Sequence, residues 1–177
     1  MNIELYSERL VLRNLHQDDW ANFLRLHQDP VVNLYIRAVE AEQDILAMFE
    51  SRKSPWLFES KEWLSLVIEH NDTHEFVGLI GFYCDDVELK RAEVGYLITP
   101  EKQGFGFASE SLKALTDWGT LQFGISKFIG ICAKDNIASS KVLEKVGFIR
   151  EGLLRQHTRI GATWFDDYYF GLLTADR

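Results

Sequence analysis

Cysteine is scarce: Cys84 and Cys132 are the only two in 177 residues. They form no CxxC pair and have no histidine close by in sequence, which excludes a disulfide scaffold and leaves two reduced core thiols as the expected state. The five histidines, His16, His27, His70, His74 and His157, follow no HExxH or comparable ligand spacing, so no metal site is expected. No stretch reaches the roughly 18 apolar residues of a membrane-spanning helix. The start, Met1-Asn2-Ile3-Glu4-Leu5, lacks the basic-then-apolar pattern of a signal peptide, and the cytoplasm is the expected address. Positive charge is in deficit: 19 Lys and Arg against 27 Asp and Glu give a formal charge of −8. That balance argues against general binding to nucleic acid or to an anionic membrane.

Nucleotide and nucleophile motifs are missing as well. GxxxxGK[ST] does not occur, nor does GxSxG. A dinucleotide fingerprint beginning at Gly104 and Gly106 would need its third glycine at position 109, which is Ser109. What remains is an ordinary globular composition, 46% hydrophobic and 26% charged. The length suits one domain, residues 1–177, with enough chain to bury its own core.

Only three prolines punctuate the chain, Pro30, Pro55 and Pro100, each at a plausible element boundary. Arg9 to Arg13 reads as a first strand. Asp18 and Asp19 precede Trp20, Phe23, Leu24 and Leu26 at helical spacing, and Ile45, Leu46, Met48 and Phe49 mark a second helix over 41–52. The period then shortens. Trp63–Glu69, Phe76–Tyr83 and Ala92–Ile98 read as a three-stranded antiparallel meander with a turn at Asn71-Asp72. A helix is predicted over Phe107–Phe123, a buried strand over Lys127–Ala133 and a short helix over Asn136–Val146, stopped by Gly147. Two strands, about Phe148–Arg159 and Trp164–Leu173, close the chain around a turn at Gly161. The unit from Val94 to Cys132 should be a right-handed parallel crossover within a mainly antiparallel sheet. The class is α+β.

The chemistry concentrates in Glu93 to Ala108, where a strand ends at Thr99-Pro100 and two glycines lead into a helix. Glycines permit a tight turn, and the free N–H groups of a helix start suit a pyrophosphate. The run Gln103-Gly104-Phe105-Gly106-Phe107-Ala108 resembles the acetyl-CoA pyrophosphate loop, Gln/Arg-x-x-Gly-x-Gly/Ala, of the GCN5-related N-acetyltransferases (GNAT). Ser7 to Arg13, Ala92 to Tyr96, Asn136 to Ser140, Lys145 to Phe148 with Glu151-Gly152, and Trp164 to Asp166 resemble further segments of the RimJ/RimL-type subgroup, in the same order along nearly the whole chain.

The resemblance implies a mixed α/β fold. Its central, mostly antiparallel twisted sheet has about seven strands, with a parallel fourth/fifth pair, flanked by about four helices. It implies that the amides of Gln103, Gly104, Phe105, Gly106, Phe107 and Ala108 hold the pyrophosphate. Leu97 and Ile98 would pair with the pantetheine as an added strand does, and Asn136 would contact the pantetheine arm. Ser139 matches the subgroup's serine near the cofactor sulfur. The implied reaction is direct attack of an amine on the thioester. Glu93 is the first candidate for the base, directly or through water, and Ser139 for the group that stabilises the leaving thiolate. A strand amide near Leu97 would hold the oxyanion. The tyrosine that many relatives carry after the asparagine is replaced by Leu143. Asp166 matches a strand aspartate read as structural. A catalytic glutamate of the ribosomal-protein enzymes falls at Thr158, which weakens the case for the same protein target.

Tyr96 would share a strand face with Glu93 only if a bulge intervened, so packing is its expected role. The acceptor would be an amine, on a protein N-terminus or a small molecule, met by the first two helices and the final turn. Glu40, Glu42, Asp44 and Glu50 there read first as a solvated helix face, with attraction of a cationic acceptor as the alternative. Tyr35, Trp56, Phe58 and Trp63 are aromatics around that side, which could box an ammonium or form half of a dimer interface, with core the expected place of at least half of them. The competing function is a non-catalytic acyl-CoA-binding module, favoured by Leu143. Relatives often dimerise, so a homodimer belongs to the implied picture.

Overall fold

The computed structural model describes residues 2–176. One eight-stranded sheet carries the order β1-β2-β3-β4-β5-β6-β8-β7. Its strands are β1 (Glu4–Tyr6), β2 (Leu10–Asn14), β3 (Leu64–His70), β4 (Phe76–Asp86), β5 (Arg91–Ile98), β6 (Lys127–Ala133), β7 (Ile149–Ile160) and β8 (Thr163–Leu173). Five helices accompany it: α1 (Trp20–Gln28), α2 (Pro30–Asn33), α3 (Glu42–Lys53), α4 (Phe107–Phe123) and α5 (Ile137–Val146). The predicted elements stand where their periodicity put them.

Two elements escape the sequence pattern and correct the expected counts. The additional strand, β1, is three residues long and forms through its partner, with Leu5 opposite Leu12. The parallel fourth/fifth pair of the expected numbering is therefore β5/β6. The additional helix, α2, is four residues long. It is nucleated by its cap: Asp29 Oδ1 accepts from the amides of Val31 and Val32, and Pro30 fixes the first turn. At its end Asn33 is buried and its Nδ2 donates to the carbonyls of Leu26, His27 and Asp29. A buried amide bonded to three carbonyls fixes the corner between α1 and the segment that follows.

The central strands are apolar on both faces because helices cover both. A larger core packs Phe82, Phe128 and Phe170 with Leu112 and Leu115 of α4 and Leu143 of α5. A smaller one packs Phe23 and Leu26 of α1 and Ile45 and Phe49 of α3 against Val67 and Leu79. Strand β5 divides them by its two-residue alternation: Val94 and Ile98 belong to the first, and Leu97 packs on the second. Trp56 meets Phe82 and Phe123 edge-on and Phe58 stacks on Phe123, which makes two of the four aromatics core as expected. These two aromatics are core because their loop folds back onto the sheet.

Candidate active site

The site arises where the sheet comes apart. Strands β5 and β6 pair in parallel over three positions, Arg91 with Lys127, Ala92 with Phe128 and Glu93 with Ile129. Beyond Glu93, β5 stays in register with β4 as far as Gly78 opposite Ile98, while β6 stays on β8 through Ala133 opposite Asp167. Each strand follows its antiparallel neighbour, and a wedge opens between them. A cavity of about 540 Å³ occupies it, lined by Glu93 to Ile98 on one wall and Gly130 to Cys132 on the other.

Helix starts close one end of the cavity. Gly104 and Gly106 have φ of +82° and +83°, so the turn into α4 needs residues without a Cβ. A Cβ at Gly106 would lie 3.7 Å from Arg9 Nη2 and 3.9 Å from Lys145 Nζ, which places two cations beside this helix start. Arg9 is held there by Glu110, which accepts from its backbone amide and Nε, and it lies over the Phe107 ring. Gln103 Nε2 donates to the Ile98 carbonyl, tying the loop to the end of β5. Gln103, Gly104 and Ala108 line the cavity. The side chains of Phe105 and Phe107 do not; they stack on each other at 5.9 Å, Phe107 buried and Phe105 62% exposed.

Asn136 caps α5, its Oδ1 accepting from the Ser139 amide at 3.1 Å, and both residues line the cavity. Leu143 is 2% exposed and packs so closely on β6 that a Cβ at Gly130 would meet its Cδ2 at 2.6 Å. A hydroxyl is nevertheless present beside Ser139. Tyr96 Oη lies 2.8 Å from Ser139 Oγ and donates to the Ser139 carbonyl at 3.2 Å. Burial pushes the Tyr96 phenol well above its ordinary value, so it stays protonated and able to donate. Packing alone does not describe this residue. Sequence reasoning required a bulge to bring Tyr96 to the same site as Glu93. Yet β5 pairs with β4 in unbroken register from Ala92 to Ile98, and the open wedge exposes both faces of the strand.

Glu93 sits on the other face, opposite Tyr83, whose hydroxyl donates to Glu93 Oε2 at 3.3 Å. Burial raises the Glu93 carboxyl above the ordinary carboxylate value, opposed by the Tyr83 hydrogen bond and reinforced by the charge of Asp85. Trp63 packs on Tyr83 with ring centroids 5.0 Å apart. Asp166 Oδ1 accepts from the Gln156 amide, and Thr158 Oγ1 donates to the buried Asp167; neither aspartate lines the cavity.

The splayed strand pair thus lies beside a glycine turn and a helix start, and the cavity holds Glu93 and the Tyr96–Ser139 hydroxyl pair. The model of the acetyltransferase (GNAT) domain matches residues 9–149, and the chain belongs to that family of acetyl-CoA-dependent enzymes. It is 33% identical over 171 residues to the uncharacterized N-acetyltransferase YoaA of Bacillus subtilis, covering 96% of each chain. It is 27% identical over 150 residues to the ribosomal-protein-serine acetyltransferase of Escherichia coli, covering 70% of this chain and 83% of that one. A GNAT-family acetyltransferase from Bacillus anthracis superposes with a TM-score of 0.84 at 26% identity, covering 97% of this chain and 98% of the other.

Proposed function

We propose that this protein transfers the acetyl group of acetyl-CoA to an amine by direct attack, with Glu93 and the Tyr96–Ser139 hydroxyl pair as its chemical groups. One observation carries the reading: a single cavity collects Glu93, the last β5 residue paired with β6, with Tyr96 beyond it and Asn136 and Ser139 from the start of α5. The cavity also fits the donor. Its free strand edge suits an extended pantetheine arm, and the turn at Gly104 and Gly106, flanked by Arg9 and Lys145, suits a pyrophosphate. When bound, acetyl-CoA supplies a thioester carbonyl and a thiolate leaving group.

The residues then have separate tasks. Backbone groups of Leu97 and Ile98 align the donor, and an amide near Leu97 stabilises the oxyanion. Asn136, whose Oδ1 is committed to capping α5, offers its Nδ2 to the pantetheine arm. Only a neutral amine attacks, so a proton must leave it. Glu93 accepts that proton, directly or through one water, and its raised pKa makes it a better base than an exposed carboxylate. Ser139 donates a hydrogen bond to the leaving sulfur. When the single Tyr96 proton turns from the Ser139 carbonyl to Ser139 Oγ, 2.8 Å away, it orients that hydroxyl and makes it a stronger donor.

The test is acetyl-CoA thiol release measured against peptides with different first residues, amino acids, polyamines and amino sugars, with mass spectrometry of the amine. Acceptor-dependent release with an acetyl mass gain is the expected result. Tight acetyl-CoA binding with no release across the panel would favour a cofactor-binding module.

A further inference from the structure

The cavity has a second, cationic pole. Arg37 and Arg52 both line it, together with Val31, Tyr35 and Trp63. Elsewhere the arginines that hold the fold together are answered by carboxylates: Arg9 by Glu110, Arg13 by Asp19 and Glu69, and Arg91 by Asp85. The cavity pair is not answered in this way. Arg37 meets Glu40 only at 3.9 Å and gives a hydrogen bond to the sulfur of Met48 at 3.7 Å. Among the described residues, no carboxylate lies within ion-pair distance of Arg52. The chain has 27 carboxylates for 19 basic side chains, so partners are not in short supply. Burial pushes the Arg52 guanidinium down to about 10, and the neighbouring charge of Arg37 pushes the same way, against the weaker pull of Glu40 and Glu62.

A guanidinium removed from water needs an anion in return, and its planar fork suits a carboxylate or a phosphate. The fold brings neither into contact with the half-buried Arg52, which Glu40 and Glu62 pull on only from further away. Of the acidic residues that suggested a cationic acceptor, Glu40 lies beside the pair, 3.9 Å from Arg37, without reaching Arg52, and Glu42, Asp44 and Glu50 are exposed on α3 and line no part of the cavity. We infer that the acetyl acceptor is an amine that also carries an oxyanion, a carboxylate or a phosphate, bound by Arg52 with Arg37 beside it while the amine meets Glu93. The apolar wall from Val31 to Ile36 then takes the body of the acceptor. This inference rests on the acetyl-transfer reading.

Matched acceptors test it in the intact protein with acetyl-CoA: leucine against leucinamide, phosphoethanolamine against ethanolamine, and spermidine. The expected result is that at least one anionic member exceeds its neutral partner in kcat/KM by about tenfold or more. The amide has the less basic amine and therefore more free base, so a preference for the acid reflects binding. Which anionic member wins separates a carboxylate site from a phosphate site. In Arg52→Met the acid-to-neutral ratio should collapse to within about threefold, with Arg52→Lys restoring part of it and Arg37→Met producing a smaller loss. Turnover of leucinamide, ethanolamine or spermidine that equals or exceeds that of the anionic acceptors would overturn the inference and leave acetyl transfer standing. Turnover of none of the five, nor of any peptide or amino sugar, by protein that binds acetyl-CoA would overturn acetyl transfer and this inference with it.

Discussion

The end of the cavity that we assign to the cofactor is built from two short continuous runs: Gln103 to Ala108 turn into α4, and Asn136 to Ser139 open α5. The end that we assign to the acceptor is assembled from residues between Val31 and Arg37, with Arg52 and Trp63, which the chain brings together through α1, α2 and α3. One end presents mostly backbone, with glycines and helix starts that suit a ligand shared by many enzymes. The other presents side chains, which is where a choice among amines has to be made. A wall of amides can be kept while a wall of side chains is changed, so the two ends are free to differ in how much they say about the substrate.

The largest test of this division is Gly106→Glu. A carboxylate placed against the pyrophosphate, at a φ of +83°, should weaken acetyl-CoA binding by about 1,000-fold. Calorimetry on folded protein measures it, and unchanged affinity would remove the turn from the cofactor end. Next comes Glu93→Gln, where the two ends meet, with an expected fall in kcat of about 100-fold. The wild type should lose activity as pH drops through the raised Glu93 value, above its ordinary 4.5. The variant should lack that limb; a limb of unchanged shape would point to another base.

Smaller effects separate Tyr96 from simple packing. Ser139→Ala and Tyr96→Phe should each lower kcat by about tenfold, with acetyl-CoA affinity within twofold of wild type. If Tyr96 works through Ser139, the double variant should be no slower than Ser139→Ala. Fully additive losses would separate the two hydroxyls.

The smallest effect concerns the support of the acceptor end. His27 is 1% exposed, its Nδ1 2.8 Å from the Phe23 carbonyl and its Nε2 buried without a partner. Burial, the largest cause, lowers its pKa from 6.5 to about 4. Between those values the unfolded chain takes up the proton first, so stability is lost as pH falls. Going from about pH 7 to about pH 5.5 should cost about 1 kcal/mol, read as a lower urea midpoint. In His27→Leu that dependence should flatten, and a slope as steep as wild type would show that another group titrates.

The same contrast explains what was legible in the sequence. Long elements announced themselves by period, and the cofactor end by a continuous motif. Strand β1 and helix α2 are too short to show a period, and they form through a partner strand and a buried Asn33. Alternation puts Tyr96 and Glu93 on opposite faces and reads Tyr96 as packing, and it does pack on the larger core; no local signal reveals that the sheet opens there and brings its hydroxyl beside Ser139. Arg37 and Arg52 lie fifteen positions apart (52 − 37), and nothing in their spacing marks a shared cavity.

The wedge between β5 and β6 has one more consequence. It leaves an interrupted ladder in the middle of an eight-stranded sheet, with backbone from Val94 to Ile98 facing a gap where a neighbouring strand would otherwise lie. A ligand lying along that edge completes the sheet, and it does so only in the native chain. By mass action it then adds to global stability, about 2.7 kcal/mol at a hundred times its dissociation constant. If the donor lies there as proposed, the stability of the folded protein is coupled to the supply of that donor.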